Sequence, residues 1–119
     1  MSKHILIIDD DVELLEVFQI GLEIAGHSVI VATNGKKGLE LFKKHRPCFV
    51  FTDAKMPEMD GYELFSSIRK VDSNAKVILV TGHEDKEKSQ IALKNGLTGI
   101  LTKPVSMKLF KDILKKHAC

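Results

Sequence analysis

A chain of 119 residues suits one packed domain and leaves little room for two. Hydrophobic residues make up 44% of it, enough for a single core, and Lys+Arg 18 against Asp+Glu 16 excludes capture of nucleic acid by bulk charge. The paired lysines at 36–37, 43–44 and 115–116 read as solvated helix faces. Cys48 and Cys119 form no Cys-x-x-Cys pair and no disulfide framework, a usage that fits a reducing compartment, with Cys48 filling core space at a strand start. The apolar run before Asp9 is too short for a signal peptide or a membrane span. These features together predict a soluble, cytoplasmic protein that binds neither membrane nor nucleic acid directly.

The predicted elements alternate along the chain. The first apolar run, Ile5 to Asp9, is a strand, and Leu14, Phe18, Leu22 and Ala25 then fall on one helical face that Gly26 closes. Ser28 to Thr33 is the second strand. Gly38, Leu41, Phe42 and His45 repeat the helical pattern until Pro47 stops it. Cys48 to Asp53 is the third strand, followed by a stripe at Leu64, Phe65 and Ile68. Lys76 to Thr81 is the fourth, followed by a helix carrying Ile91 and Ala92 and ended by Asn95-Gly96. Gly99 to Lys103 is the fifth, and Leu109, Phe110, Ile113 and Leu114 mark a last amphipathic helix. The strands lack clean apolar–polar alternation, as expected where both faces are buried. Strict βα alternation predicts an α/β domain with a parallel five-stranded sheet, five helices on its two faces and right-handed crossovers. The expectation is one domain over residues 1–119, with no output domain in this chain.

Ligands of such sheets bind beyond the carboxyl ends of the strands, so the residues that close each strand carry the information. Strand one closes on Asp9-Asp10-Asp11, strand three on Asp53, strand four on Thr81-Gly82 and strand five on Lys103-Pro104. Two carboxylates about 5 Å apart at an effective dielectric of about 20 repel by roughly 3 kcal/mol. A proton on one of them or a bridging divalent cation relieves that cost. Oxygen-only donors favour a hard ion, and Mg²⁺ takes one or two carboxylates while keeping waters. Asp10 or Asp11 could instead cap the following helix, with Glu13 completing a capping box; capping or surface exposure is assigned to Asp11, and function to Asp9 and Asp10. Asp53 could begin a turn before Met56-Pro57, yet beside a metal it is a phosphoryl acceptor. Thr81 and Lys103 have bland readings too, as a strand residue and a solvated lysine. Their shared position at strand ends favours a site.

The segments "ILIIDDD", "FTDAKMPEMDGYELFSSIR", "VILVTGH" and "LTKP", in this order and spacing, closely resemble a response-regulator receiver domain of two-component signalling, over essentially the whole chain. The resemblance implies a flavodoxin-like, doubly wound three-layer fold with strand order 2-1-3-4-5. It implies that Asp53 takes a phosphoryl group from a sensor histidine kinase or a histidine phosphotransfer protein. Asp9, Asp10, Asp53 and the backbone carbonyl of Lys55 would hold Mg²⁺, and Thr81 and Lys103 would contact the phosphoryl oxygens. The bond before Pro104 would be cis. Such a domain is a switch and not a turnover enzyme. Its changing surface would be helix four, strand five and helix five, which would meet a downstream output protein or domain, with homodimerisation through the same face left open. Ile100 stands where relatives often carry an aromatic residue that swings inward as Thr81 moves. Lys55 and His83 occupy positions that influence acyl-phosphate lifetime in relatives, with a solvated loop residue as the plainer reading of His83.

Three rivals make distinct demands. A flavin-binding electron carrier needs a hydroxyl- and glycine-rich first loop, where this chain places three acids. An aspartyl-phosphate hydrolase usually has a second Asp two residues after the nucleophile, where this chain has Lys55. A receiver-like module that binds no phosphate does not need the full set Asp9, Asp10, Asp53, Thr81 and Lys103.

Overall fold

The computed structural model describes residues 4–117. Its elements run β1 (His4–Ile8), α1 (Val12–Ile24), β2 (Ser28–Ala32), α2 (Gly35–His45), β3 (Phe49–Asp53), α3 (Gly61–Val71), β4 (Val77–Thr81), α4 (Lys86–Lys94), β5 (Gly99–Thr102) and α5 (Met107–Lys116). All strand pairs are parallel and the order is β2-β1-β3-β4-β5, as expected. Strand limits differ from the sequence reading by a residue at one end or both. The ladder nonetheless reaches past β1 and β5, through Asp9 N–H to Ala32 O at 3.1 Å and Lys103 N–H to Thr81 O at 2.9 Å.

The sheet separates two cores. Leu6, Ile8, Val50, Val77 and Leu79 face Phe42, Leu64, Phe65 and Ile68 of α2 and α3. Ile5, Ile7, Phe49, Phe51, Ile78 and Val80 face Leu15, Phe18 and Leu22 of α1 and Phe110 and Leu114 of α5. Alternate residues of each strand thus enter opposite cores, which is why no strand shows a polar face.

Three residues differ from the helical stripes read in the sequence, and one cysteine differs from its expected state. Ala25 is the exposed C-cap of α1, and Leu15 joins the buried face instead. Gly26, at φ 96°, follows that cap in the left-handed region, with its N–H on Glu23 O and the His27 N–H on Leu22 O, the paired bonds that close a helix on glycine. Ile91 of α4 is 57% exposed, so Ser89 and Ala92 form that helix's buried side. Leu109 of α5 is also exposed. Cys48 packs against the second core as expected, but it is disulfide-bonded and not a free thiol, which removes cysteine usage as an argument for a reducing compartment; Cys119 lies outside the described residues.

Candidate functional site

Asp9, Asp10 and Asp53 meet at the carboxyl edge of β1 and β3, each offering a carboxylate oxygen within 4.8 Å of the others. Adjacent strands in register bring the first and third strand ends together, while Asp10 reaches in from the loop before α1. Asp9 and Asp53 are buried and Asp10 is exposed. Asp11 stands outside the cluster as the N-cap of α1, accepting the Leu14 N–H at 3.2 Å. Its own N–H donates to Asp9 Oδ1 at 2.9 Å, so the capping residue also fixes the first site carboxylate.

Lys103 crosses from the end of β5 and places Nζ 3.3 Å from Asp9 Oδ2 and 3.4 Å from Asp53 Oδ2. Burial raises the Asp53 carboxyl above the usual aspartate value and the Asp9 charge adds to the rise; Lys103 and the Lys55 backbone N–H offset only part of it. Burial acts to lower the Lys103 amine, but the two carboxylates outweigh it and hold that amine above the ordinary lysine value. Three carboxylates against one ammonium leave two negative charges in the cluster. All-oxygen donors with a deficit of that sign and size fit one hard divalent cation.

Thr81, 2% exposed, ends β4. Its hydroxyl donates to the His83 carbonyl at 2.9 Å and accepts the His83 N–H at 3.1 Å. The hydroxyl is therefore committed to its own loop. Lys55 and the exposed His83 line a cleft of about 490 Å³ between the β3–α3 and β4–α4 loops, together with Met56, Asp60, Tyr62 and Lys88. Ile100 is partly buried against the α2–α3 side of the sheet and pairs with Leu79, away from the carboxylates in register. The Lys103–Pro104 bond is cis, as expected.

Two features escaped the sequence reading. Gly61 begins α3 on the backbone of the acceptor strand: its N–H bonds to Ala54 O at 2.9 Å, and a Cβ there would meet the Asp53 carbonyl and Ala54 Cα. Tyr62 Oη and Ser89 Oγ lie 2.9 Å apart between α3 and α4. Nothing in the local sequence links two residues 27 positions apart; only the packing of the two helices does.

A parallel 2-1-3-4-5 sheet with acids, a hydroxyl and an amine at its carboxyl edge is the layout of a signalling receiver domain. The response regulator receiver domain model matches residues 5–115, and the chain belongs to that family. It is 37% identical over 102 residues to the transcriptional regulatory protein GlrR of Escherichia coli (strain K12), covering 86% of this chain and 23% of that protein, so it spans about a quarter of that relative's length. The crystal structure of a response regulator receiver domain protein (CheY-like) from Methanospirillum hungatei superposes with a TM-score of 0.91 at 32% identity, covering 99% of this chain and 95% of that one. A receiver domain from Clostridium thermocellum gives 0.90 at 31% identity, covering 98% and 94%. Receiver domains act in two-component systems as phosphorylation switches between kinases and output domains, as signalling domains and not as classical enzymes.

Proposed function

We propose that Asp53 is the phosphoacceptor and that the domain switches a partner surface when it is modified. The observation that carries this reading is the meeting of three carboxylates with Lys103 at one strand edge. An Asp53 oxygen would attack the phosphorus of a phosphohistidine on a sensor kinase or phosphotransfer protein. The P–O bond forms as the P–N bond breaks, and the imidazole departs. Asp9, Asp10, Asp53 and the Lys55 carbonyl would hold Mg²⁺, which supplies neutralising charge to the phosphoryl oxygens.

The chain's own residues do the rest. Lys103 already spans Asp9 and Asp53, so it can follow the new charge on Asp53 without a long movement. Thr81 must withdraw its proton from the His83 carbonyl to donate to a phosphoryl oxygen. That exchange leaves a carbonyl without its donor and so moves the loop after β4. Lys55, at the mouth of the cleft, would shield the acyl phosphate from water, so Lys55→Ala should change the lifetime of the phosphorylated form. The cytoplasmic location belongs to this proposal and rests on the family alone.

Incubation with acetyl phosphate and Mg²⁺ tests the assignment. Intact mass should rise by one phosphoryl group in the wild type and stay unchanged in Asp53→Asn. Label persisting in the variant rejects Asp53 as the acceptor.

A further inference from the structure

We infer that Tyr62 and Ser89 form a clasp that positions Thr81 through α4 and opposes occupancy of Asp53. This rests on the reading of Asp53 as the acceptor. Tyr62 Oη lies 2.9 Å from Ser89 Oγ, and the Ser89 side chain is buried with its residue 1% exposed. Beside this pair, Lys88 Nζ reaches Asp60 Oδ2 at 3.5 Å and sits 5.8 Å from the centroid of the Tyr62 ring. The Lys88 contacts are exposed and contribute little. The hydroxyl pair is the stronger element, since separating it strands the buried Ser89 hydroxyl while the partly exposed Tyr62 hydroxyl turns to water.

Each half of the clasp is rooted in one wall of the site. On the α3 side, Asp60 caps the helix by accepting the Glu63 N–H at 2.9 Å, and Gly61 packs on the Asp53 backbone. Tyr62 therefore moves with the acceptor strand. On the α4 side, Asp85 caps the helix by accepting the Lys88 N–H at 3.0 Å, and the Ser89 N–H bonds to Asp85 O at 2.9 Å. Asp85 lies two residues beyond His83, which holds the Thr81 hydroxyl. The clasp thus sets the gap between the two loops across the cleft of about 490 Å³. A Thr81 that moves toward Asp53 draws the β4–α4 loop after it and strains the clasp.

The helix it restrains is weakly anchored. Ser89 and Ala92 are the buried residues of α4, whereas α3 buries Leu64, Phe65 and Ile68 as well as Gly61. A nine-residue helix held by two small side chains draws little from apolar burial. One hydroxyl pair is then a large share of what fixes it, and α4 belongs to the low-stability end of the fold. The ring that bears on this helix is Tyr62 of α3.

The chain contains one tyrosine and no tryptophan, so its intrinsic emission reports Tyr62 alone. The wild-type chain is titrated with beryllofluoride in the presence of Mg²⁺. Fluorine NMR follows occupancy of Asp53, and tyrosine emission follows the clasp. The emission should change in step with occupancy. Tyr62→Phe, which keeps the ring, and Ser89→Ala, which keeps the helix, should each bind beryllofluoride about fivefold more tightly while retaining the wild-type circular dichroism spectrum. Unchanged emission at full occupancy, or affinities within twofold of wild type in both variants, overturns the clasp. No bound-fluoride resonance in the wild type removes the reading of Asp53 as acceptor, and the clasp with it.

Discussion

Asp53 carries the sharpest electrostatic consequence of this site. Its folded-state pKa lies above the ordinary value, through burial first and the Asp9 charge second. The folded protein therefore binds that proton more tightly than the unfolded chain does. Stability falls as pH rises from the ordinary aspartate range through the raised value, and the penalty persists above it. Without divalent cations, Asp53→Asn should be more stable than wild type at pH 7, with the gap closing as pH falls through that window. Urea melts at several pH values check this; equal midpoints at neutral pH would overturn it. Glu58 is a second informative residue. Its φ is 68°, and the Met59 N–H closes on Pro57 O at 2.8 Å around it, a tight turn that L-residues rarely adopt. Its side chain is exposed, so Glu58→Val tests the backbone alone and should cost about 1–2 kcal/mol, because branching at Cβ disfavours positive φ.

At the scale of elements, the caps separate structural acids from site acids. Asp11→Ala removes the N-cap of α1 and should cost about 1 kcal/mol. Magnesium affinity by calorimetry should stay close to wild type, because the N–H that Asp11 gives to Asp9 belongs to the backbone. A complete loss of magnesium uptake would place Asp11 in the site. Gly61 makes the opposite case. Gly61→Ala puts a Cβ against Ala54 Cα, 2.9 Å away, and against the Asp53 carbonyl. It should cost about 1–3 kcal/mol and slow phosphorylation of Asp53 by displacing its strand end. Wild-type stability and rate together would show that α3 does not brace the acceptor. Asp11 was legible as a cap, because an acid directly before an apolar helical stripe is a local signal. The role of Gly61 was not, because its constraint comes from a strand eight residues earlier.

Across the whole molecule, the acidic cluster is a cost that a bound divalent ion would turn into stability. Ligand that binds only the folded state adds about 1.4 kcal/mol at ten times its Kd, roughly 5 °C in Tm for a chain of this size. Magnesium should raise the Tm of the wild type by that order and leave Asp10→Ala nearly unmoved, as differential scanning calorimetry would record. Equal shifts in both proteins would remove Asp10 from the metal site. Lys103→Ala should keep magnesium uptake, since it removes a cation and not a donor, yet lose the response of Tyr62 emission to beryllofluoride. Abolished magnesium binding in that variant would contradict the assigned division of labour.

The sequence by itself determined the alternation of strands and helices, the parallel sheet and the five strand-end residues, because apolar period and chain order are local properties. It also located Asp9, Asp10, Asp53, Thr81 and Lys103 at one edge, since parallel strands all end on the same side. Tertiary structure alone decided that Lys103 bridges two carboxylates and that Tyr62 meets Ser89. It also turned Ile91 to solvent and joined Cys48 in a disulfide. These are contacts or exposures set by how elements dock on one another, and docking depends on side-chain shape in three dimensions, which no periodicity along the chain encodes.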